Sequence, residues 1–128
     1  MDSRRGALHG LHVLVVEDDR DAREILKSVL AHFGALVTAA RTAKEALTSL
    51  RQIRPDVVVT DMLLGTTDGV TLLHDARRDQ SAGAPFIAVS GADFDMQRLE
   101  GVGFAAYLRK PLDHDRLVDA ILAVVRTR

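Results

Sequence analysis

Short apolar runs alternate with stretches of helical periodicity five times along this chain, and that alternation constrains the fold more than any other feature. Val13–Val16 (extended back to Leu11), Leu36–Ala40, Val57–Asp61, Phe86–Ser90 and Ala106–Arg109 read as strands. The first, third and fourth are near-continuous apolar runs, the pattern of strands covered on both faces. The second is more polar and fits a sheet edge. Ala22, Ile25, Leu26, Val29, Leu30 and Phe33 recur at helical spacing as an inward stripe, and Gly34 closes that helix. Thr42 and Glu45 form a capping box ahead of Ala46, Leu47 and Leu50. Val70, Leu72, Leu73 and Ala76 mark a third helix, entered through Asp68-Gly69. Asp113 caps the last one, with Leu117, Ile121, Val124 and Val125 inward. Residues 93–100 allow only two turns of a fourth helix, with Phe94, Met96 and Leu99 facing in. Repeated β-α units of this length predict an α/β fold, a (βα)5 doubly wound five-stranded parallel sheet with helices on both faces.

A chain of 128 residues holds one domain of this kind. Seventeen basic residues against 18 acidic ones give a net charge of −1, which argues against direct nucleic-acid or membrane-surface binding. The absence of cysteine excludes disulfides, thiolate metal sites and cysteine nucleophiles, and fits a cytoplasmic location. No apolar stretch approaches the ~20 residues of a membrane span. Arg4-Arg5 is not followed by an apolar region, so residues 1–9 read as a flexible N-terminal tail before a domain spanning 10–128.

The candidate site lies at the strand ends. An open parallel sheet binds ligands outside the carboxyl ends of its strands. Glu17, Asp18 and Asp19 come directly after the first strand, Asp61 ends the third, Ser90 ends the fourth, and Lys110 comes directly after the fifth. Clustered carboxylates repel unless a cation lies among them. An all-oxygen site with few protein ligands suits Mg²⁺, or Mn²⁺ in its place. A carboxylate can also act as a nucleophile that forms an aspartyl-phosphate. Phosphoryl transfer then needs positioning and neutralisation of three equatorial oxygens, which a metal, the Lys110 ammonium and the Ser90 hydroxyl can share. Taken singly, each feature has a plainer reading. Three acids complement a helix N-terminus, Asp61 serves as a cap, Ser90-Gly91 forms a turn, and Lys110 lies on the surface. Their joint placement, one group per strand end, points to a site.

The set resembles the receiver domain of two-component response regulators, either a stand-alone chemotaxis-regulator-like protein or the receiver of a hybrid histidine kinase. The resemblance covers about residues 10–127. It rests on Val13-Leu14-Val15-Val16-Glu17-Asp18-Asp19, on Pro55-Asp56-Val57-Val58-Val59-Thr60-Asp61, on Asp68-Gly69, and on Gly103-Phe104-Ala105-Ala106-Tyr107-Leu108-Arg109-Lys110-Pro111. It implies the flavodoxin-like strand order 2-1-3-4-5. It also implies that Asp61 is the phosphoacceptor, that Asp18 is a direct metal ligand with Glu17 acting partly through water, and that Leu63 offers a backbone carbonyl to the metal. Ser90 is then the switch hydroxyl, Lys110 the phosphate-binding lysine and Tyr107 the switch aromatic. A histidine kinase or histidine phosphotransfer protein would be the phosphodonor. The chain would be a monomer or weak dimer that assists its own phosphorylation without being a turnover enzyme.

Three departures from the family pattern stand out. Gly65 occupies the usual proline position four residues after Asp61, which predicts a more mobile loop. The interval from Ser90 to Lys110 is short, which predicts a short, shifted or partly unwound fourth helix. Leu63 and Ala92 flank the path of the hydrolytic water and cannot orient one, which predicts a long-lived phosphoryl group. Two alternatives keep the fold and change the function. One is a phosphorylation-independent docking module of receiver fold. The other is a haloacid-dehalogenase-like phosphatase, which would want a second Asp where Leu63 stands. His9, His12, His32, His74 and His114 show no metal-ligand spacing.

Overall fold

The computed structural model describes residues 4–79, 83–91 and 101–126. Chain order is β1 (His12–Val16), α1 (Arg20–His32), β2 (Leu36–Ala40), α2 (Ala43–Gln52), β3 (Val57–Asp61), β4 (Leu63–Leu64), β5 (Thr67–Asp68), α3 (Gly69–Arg78), β6 (Phe86–Ser90), β7 (Ala106–Arg109) and α4 (His114–Arg126). The five long strands form one parallel sheet in the order β2-β1-β3-β6-β7, the expected 2-1-3-4-5 arrangement. The sequence-predicted fourth helix, 93–100, and Ala92 lie outside the described residues.

Side chains alternate across each strand, and the apolar runs therefore feed two cores. Leu14, Val58, Phe86 and Ala88 pack under α2 and α3 with Ala46, Leu50, Leu72, Leu73 and Ala76. Val13, Val15, Val57, Val59, Ile87 and Val89 pack under α1 and α4 with Leu30, Leu117, Ile121 and Val124. β2 lies at an edge and is the least buried of the first four long strands, as its polarity predicts. Helix entries follow local chemistry. Asp19 accepts from the Ala22 N–H at 2.8 Å, Thr42 from the Glu45 N–H at 3.0 Å, and Asp68 from the Thr71 N–H at 2.8 Å. Asp113 accepts from the N–H groups of Asp115 at 2.9 Å and Arg116 at 3.3 Å.

Two expectations are corrected. Within the segment read as a flexible tail, residues 4–9 are held against the domain. Leu8 is fully buried in the α1/α4 core, and its N–H donates to the Phe33 carbonyl at 2.9 Å. Arg4 reaches Asp119 at 2.6 Å and Asp115 at 3.3 Å on α4. One large apolar side chain with a cavity to fill is enough to hold a short segment. Ile25 is not inward. It is 60% exposed, because the buried stripe of α1 runs through Leu26, Val29 and Leu30 and leaves Ile25 on its margin. The Gly65 loop forms a turn. Leu63–Leu64 pairs antiparallel with Thr67–Asp68, closing a two-residue hairpin. Gly65 has φ +69°, and a positive φ at the first of two loop positions is the type II′ arrangement that glycine favours.

Candidate functional site

The carboxyl end of the sheet gathers the groups the sequence nominates. Asp61 ends β3, Glu17 and Asp18 follow β1, and Lys110 follows β7. Carboxylate oxygens of Glu17, Asp18 and Asp61 lie within 4.8 Å of one another. The Lys110 ammonium stands between two of them, 2.9 Å from Asp61 Oδ2 and 3.1 Å from Glu17 Oε1. Asp61 Oδ1 accepts from the Leu63 N–H at 3.3 Å. Ser90 is buried at the end of β6, and its carbonyl accepts from the Lys110 N–H at 2.8 Å, so both residues reach the same mouth. The Lys110–Pro111 peptide bond is cis. Tyr107 is half-buried, edge-on to Phe104 with ring centroids 5.7 Å apart, on the α2/α3 side of the sheet.

Electrostatics at the mouth are unbalanced. Glu17 is 4% exposed, and burial is the main cause that pushes its carboxyl up to about 7. The Asp19 N–H and the Lys110 ammonium pull it down, and the Asp61 charge pushes it further up. Burial lowers the Lys110 pKa, but hydrogen bonds to Asp61 and Glu17 outweigh it and leave a net rise. One ammonium among three carboxylates leaves excess negative charge where a divalent cation fits.

The Asp68-Gly69 step has a steric explanation. A Cβ at Gly69 would stand 3.0 Å from the Asp61 carbonyl oxygen and 3.2 Å from Met62 Sδ. Glycine therefore lets the start of α3 close on the end of β3, and the Gly69 N–H donates to the Met62 carbonyl at 2.9 Å. The hairpin leans over the acids, since a Cβ at Gly65 would sit 3.9 Å from Asp18 Oδ2.

Two site neighbours escape the sequence reading. Thr60 is fully buried, and its hydroxyl donates to the Asp61 carbonyl at 2.9 Å. Arg23 on α1 donates from one guanidinium nitrogen to the Glu17 carbonyl at 3.1 Å and reaches the Asp18 carbonyl at 3.5 Å. The available signal for Arg23 was a cation in the first turns of a helix, where the dipole disfavours it. A cleft of about 250 Å³ opens beside the site, lined by Glu17, Asp61, Lys110, Ile25, Leu26 and Leu112 among others. No helix among the described residues is long and apolar enough to cross a membrane.

Residues 13–122 match the family described as the response regulator receiver domain. An uncharacterized 14.6 kDa protein of Leptolyngbya boryana is 36% identical over 84% of this chain and 85% of its own length. A response regulator receiver protein of Anaeromyxobacter is 36% identical over 83% of this chain and 45% of its own length. The receiver domain of a Francisella response regulator superposes with a TM-score of 0.82 at 30% identity, covering 93% of this chain and 100% of that one. Against the Leptolyngbya protein the match is nearly end to end, whereas against the Anaeromyxobacter protein this chain spans less than half the relative's length.

Proposed function

This chain belongs to the response regulator receiver domain family, and on that premise we propose that Asp61 accepts a phosphoryl group from a phosphohistidine. The observation that carries the reading is the contact of the Lys110 ammonium with Asp61 at 2.9 Å inside a cluster of three carboxylates. Receiver domains act as phosphoacceptors rather than as turnover enzymes.

The donor set suits Mg²⁺ or Mn²⁺: all oxygen, hard, and short of positive charge. Glu17, Asp18, Asp61 and the Leu63 carbonyl would hold the ion. When bound it supplies charge neutralisation for phosphoryl oxygens and for the crowded carboxylates.

The protein's own groups do the rest. A carboxylate oxygen of Asp61 attacks phosphorus, the O–P bond forms, and the N–P bond of the phosphohistidine breaks. Its electron pair leaves on the imidazole. Lys110, held at the mouth by Glu17, stays beside the arriving group and binds one equatorial oxygen. The Ser90 hydroxyl donates to another. Drawing Ser90 toward the phosphoryl group opens space that the Tyr107 ring enters, changing the surface around the sequence-predicted fourth helix (93–100), β7 and α4. The donor is a histidine kinase or histidine phosphotransfer protein, and the site works in the cytoplasm.

The test is phosphorylation by a small phosphodonor with Mg²⁺, followed by peptide mapping. One phosphate on Asp61, lost in Asp61→Ala and on chelation of the metal, is expected. A phosphate elsewhere, metal-independent labelling or continuous turnover of a phosphate ester contradicts the reading.

A further inference from the structure

We propose that Arg23 is a positioning residue for the cation site, acting through the backbone of the acidic loop rather than through a carboxylate. This rests on the reading of Glu17, Asp18 and Asp61 as the metal-binding set.

Arg23 lies one turn inside α1, whose N-cap is Asp19. A cation there opposes the helix dipole, which favours negative charge at this end. It also approaches a site whose purpose is to gather positive charge, so electrostatics alone disfavours it twice. The side chain of a helical residue tilts toward the helix N-terminus, and the Arg23 guanidinium uses that direction to reach back over the loop. It donates to the Glu17 carbonyl at 3.1 Å and extends to the Asp18 carbonyl at 3.5 Å. It forms no ion pair with a carboxylate among the described residues.

Those two carbonyls belong to the residues that must aim their side chains into the mouth. Glu17 is already fixed on one side by its N–H, which donates to the Ala40 carbonyl at 3.1 Å. Its side chain accepts from the Asp19 N–H at 3.2 Å. Asp18 is the exposed member of the set. The Arg23 contact to its carbonyl adds a second restraint to a peptide unit whose other end, the Asp19 N–H, already bonds the Glu17 carboxylate. A planar guanidinium can serve two carbonyls from one pre-organised group, which a single ammonium does less well. Groups that hold metal ligands in place often matter to affinity as much as the ligands do.

The geometric and electrostatic effects of removing Arg23 have opposite signs, and this makes the proposal decidable. Loss of a nearby positive charge strengthens cation binding. Loss of loop restraint weakens it. The experiment is calorimetric titration of Mg²⁺ alone, without phosphodonor, into the wild type, Arg23→Gln and Asp18→Ala at fixed ionic strength. Arg23→Gln is expected to bind Mg²⁺ roughly tenfold more weakly than wild type, and Asp18→Ala not measurably. Equal or tighter binding by Arg23→Gln overturns the proposal, because a purely structural or purely electrostatic arginine gives that result. A wild type that fails to bind Mg²⁺ overturns instead the reading of the site itself. If Arg23→Gln does not fold, Arg23→Lys replaces it under the same criterion: weaker binding supports the proposal, and equal or tighter binding overturns it.

Discussion

The two faces of the sheet end differently. On the α1/α4 side, Val13, Val15, Val57, Val59, Ile87 and Val89 form an apolar plate. The alternation that places Val57 and Val59 there places Asp61 at its rim. On the α2/α3 side, the same strands finish in Thr60 and Ser90, both buried, and Tyr107 packs nearby against Phe104. The carboxylate proposed as acceptor thus rises from the apolar plate, while the hydroxyl and aromatic groups proposed to respond to it stand on the other face. On the proposed reading, support and switching are divided between two layers of a single sheet. The N-terminal segment belongs to the rigid layer, where Leu8 completes the plate and Arg4 ties the segment to α4.

The largest expected effect tests that rigidity. Leu8→Ala removes a fully buried side chain and should cost about 2–5 kcal/mol in denaturant unfolding, with Asp61 labelling per folded molecule unchanged. A loss under half a kilocalorie would return residues 4–9 to the loose tail the sequence suggests. Ser90→Ala tests the responsive face and should do the reverse. Stability should move by roughly 1 kcal/mol or less, while transfer to Asp61 slows on the order of a hundredfold, as for loss of one preorganised donor. Equal transfer rates would remove Ser90 from the reaction.

The same regions differ in how legible they are in the sequence. All five long strands fall where the sequence places them, and the three central ones are the plainest, because a doubly covered strand leaves an uninterrupted signal. Glu17, Asp18, Asp61, Ser90 and Lys110 could be assigned to one mouth from their positions alone, since parallel strands all finish at the same edge. What stayed hidden depends on contacts distant in the chain. Leu8 is a single apolar residue without periodicity, and nothing local tells it from an exposed one. Ile25 shares the spacing of its buried neighbours, yet no element among the described residues covers it. Gly65 can signal either looseness or a tight turn, and only the pairing of its flanks decides.

Smaller effects concern the rim between the faces. Leu63 is 66% exposed beside Asp61 and offers nothing to hold a water. Leu63→Asn should speed loss of the phosphoryl group by roughly tenfold, followed by decay of labelled protein after the donor is removed. An unchanged decay would mean that the apolar side chain does not set the lifetime.

The smallest effect is a pH dependence without added metal. Glu17 holds its proton more tightly folded, at about 7, than unfolded, near the ordinary carboxylate value of about 4.3. Its stabilising contribution is therefore complete below the unfolded value and is lost as pH rises through about 7. Because the Lys110 ammonium and the Asp61 carboxylate titrate together with it, the loss should be on the order of 1 kcal/mol. Glu17→Gln should flatten that part of the stability profile. A profile identical to wild type between the two values would contradict the assignment.

The division between faces is tested most directly by amide NMR with Mg²⁺ and beryllium fluoride, a mimic of the phosphoryl group. The account predicts that the mimic adds to Asp61 and shifts signals from Thr60, Ser90 and Tyr107, while the α1/α4 plate around Val15, Leu30 and Ile121 stays still. No change, or change centred on the plate with Ser90 and Tyr107 unmoved, would contradict it.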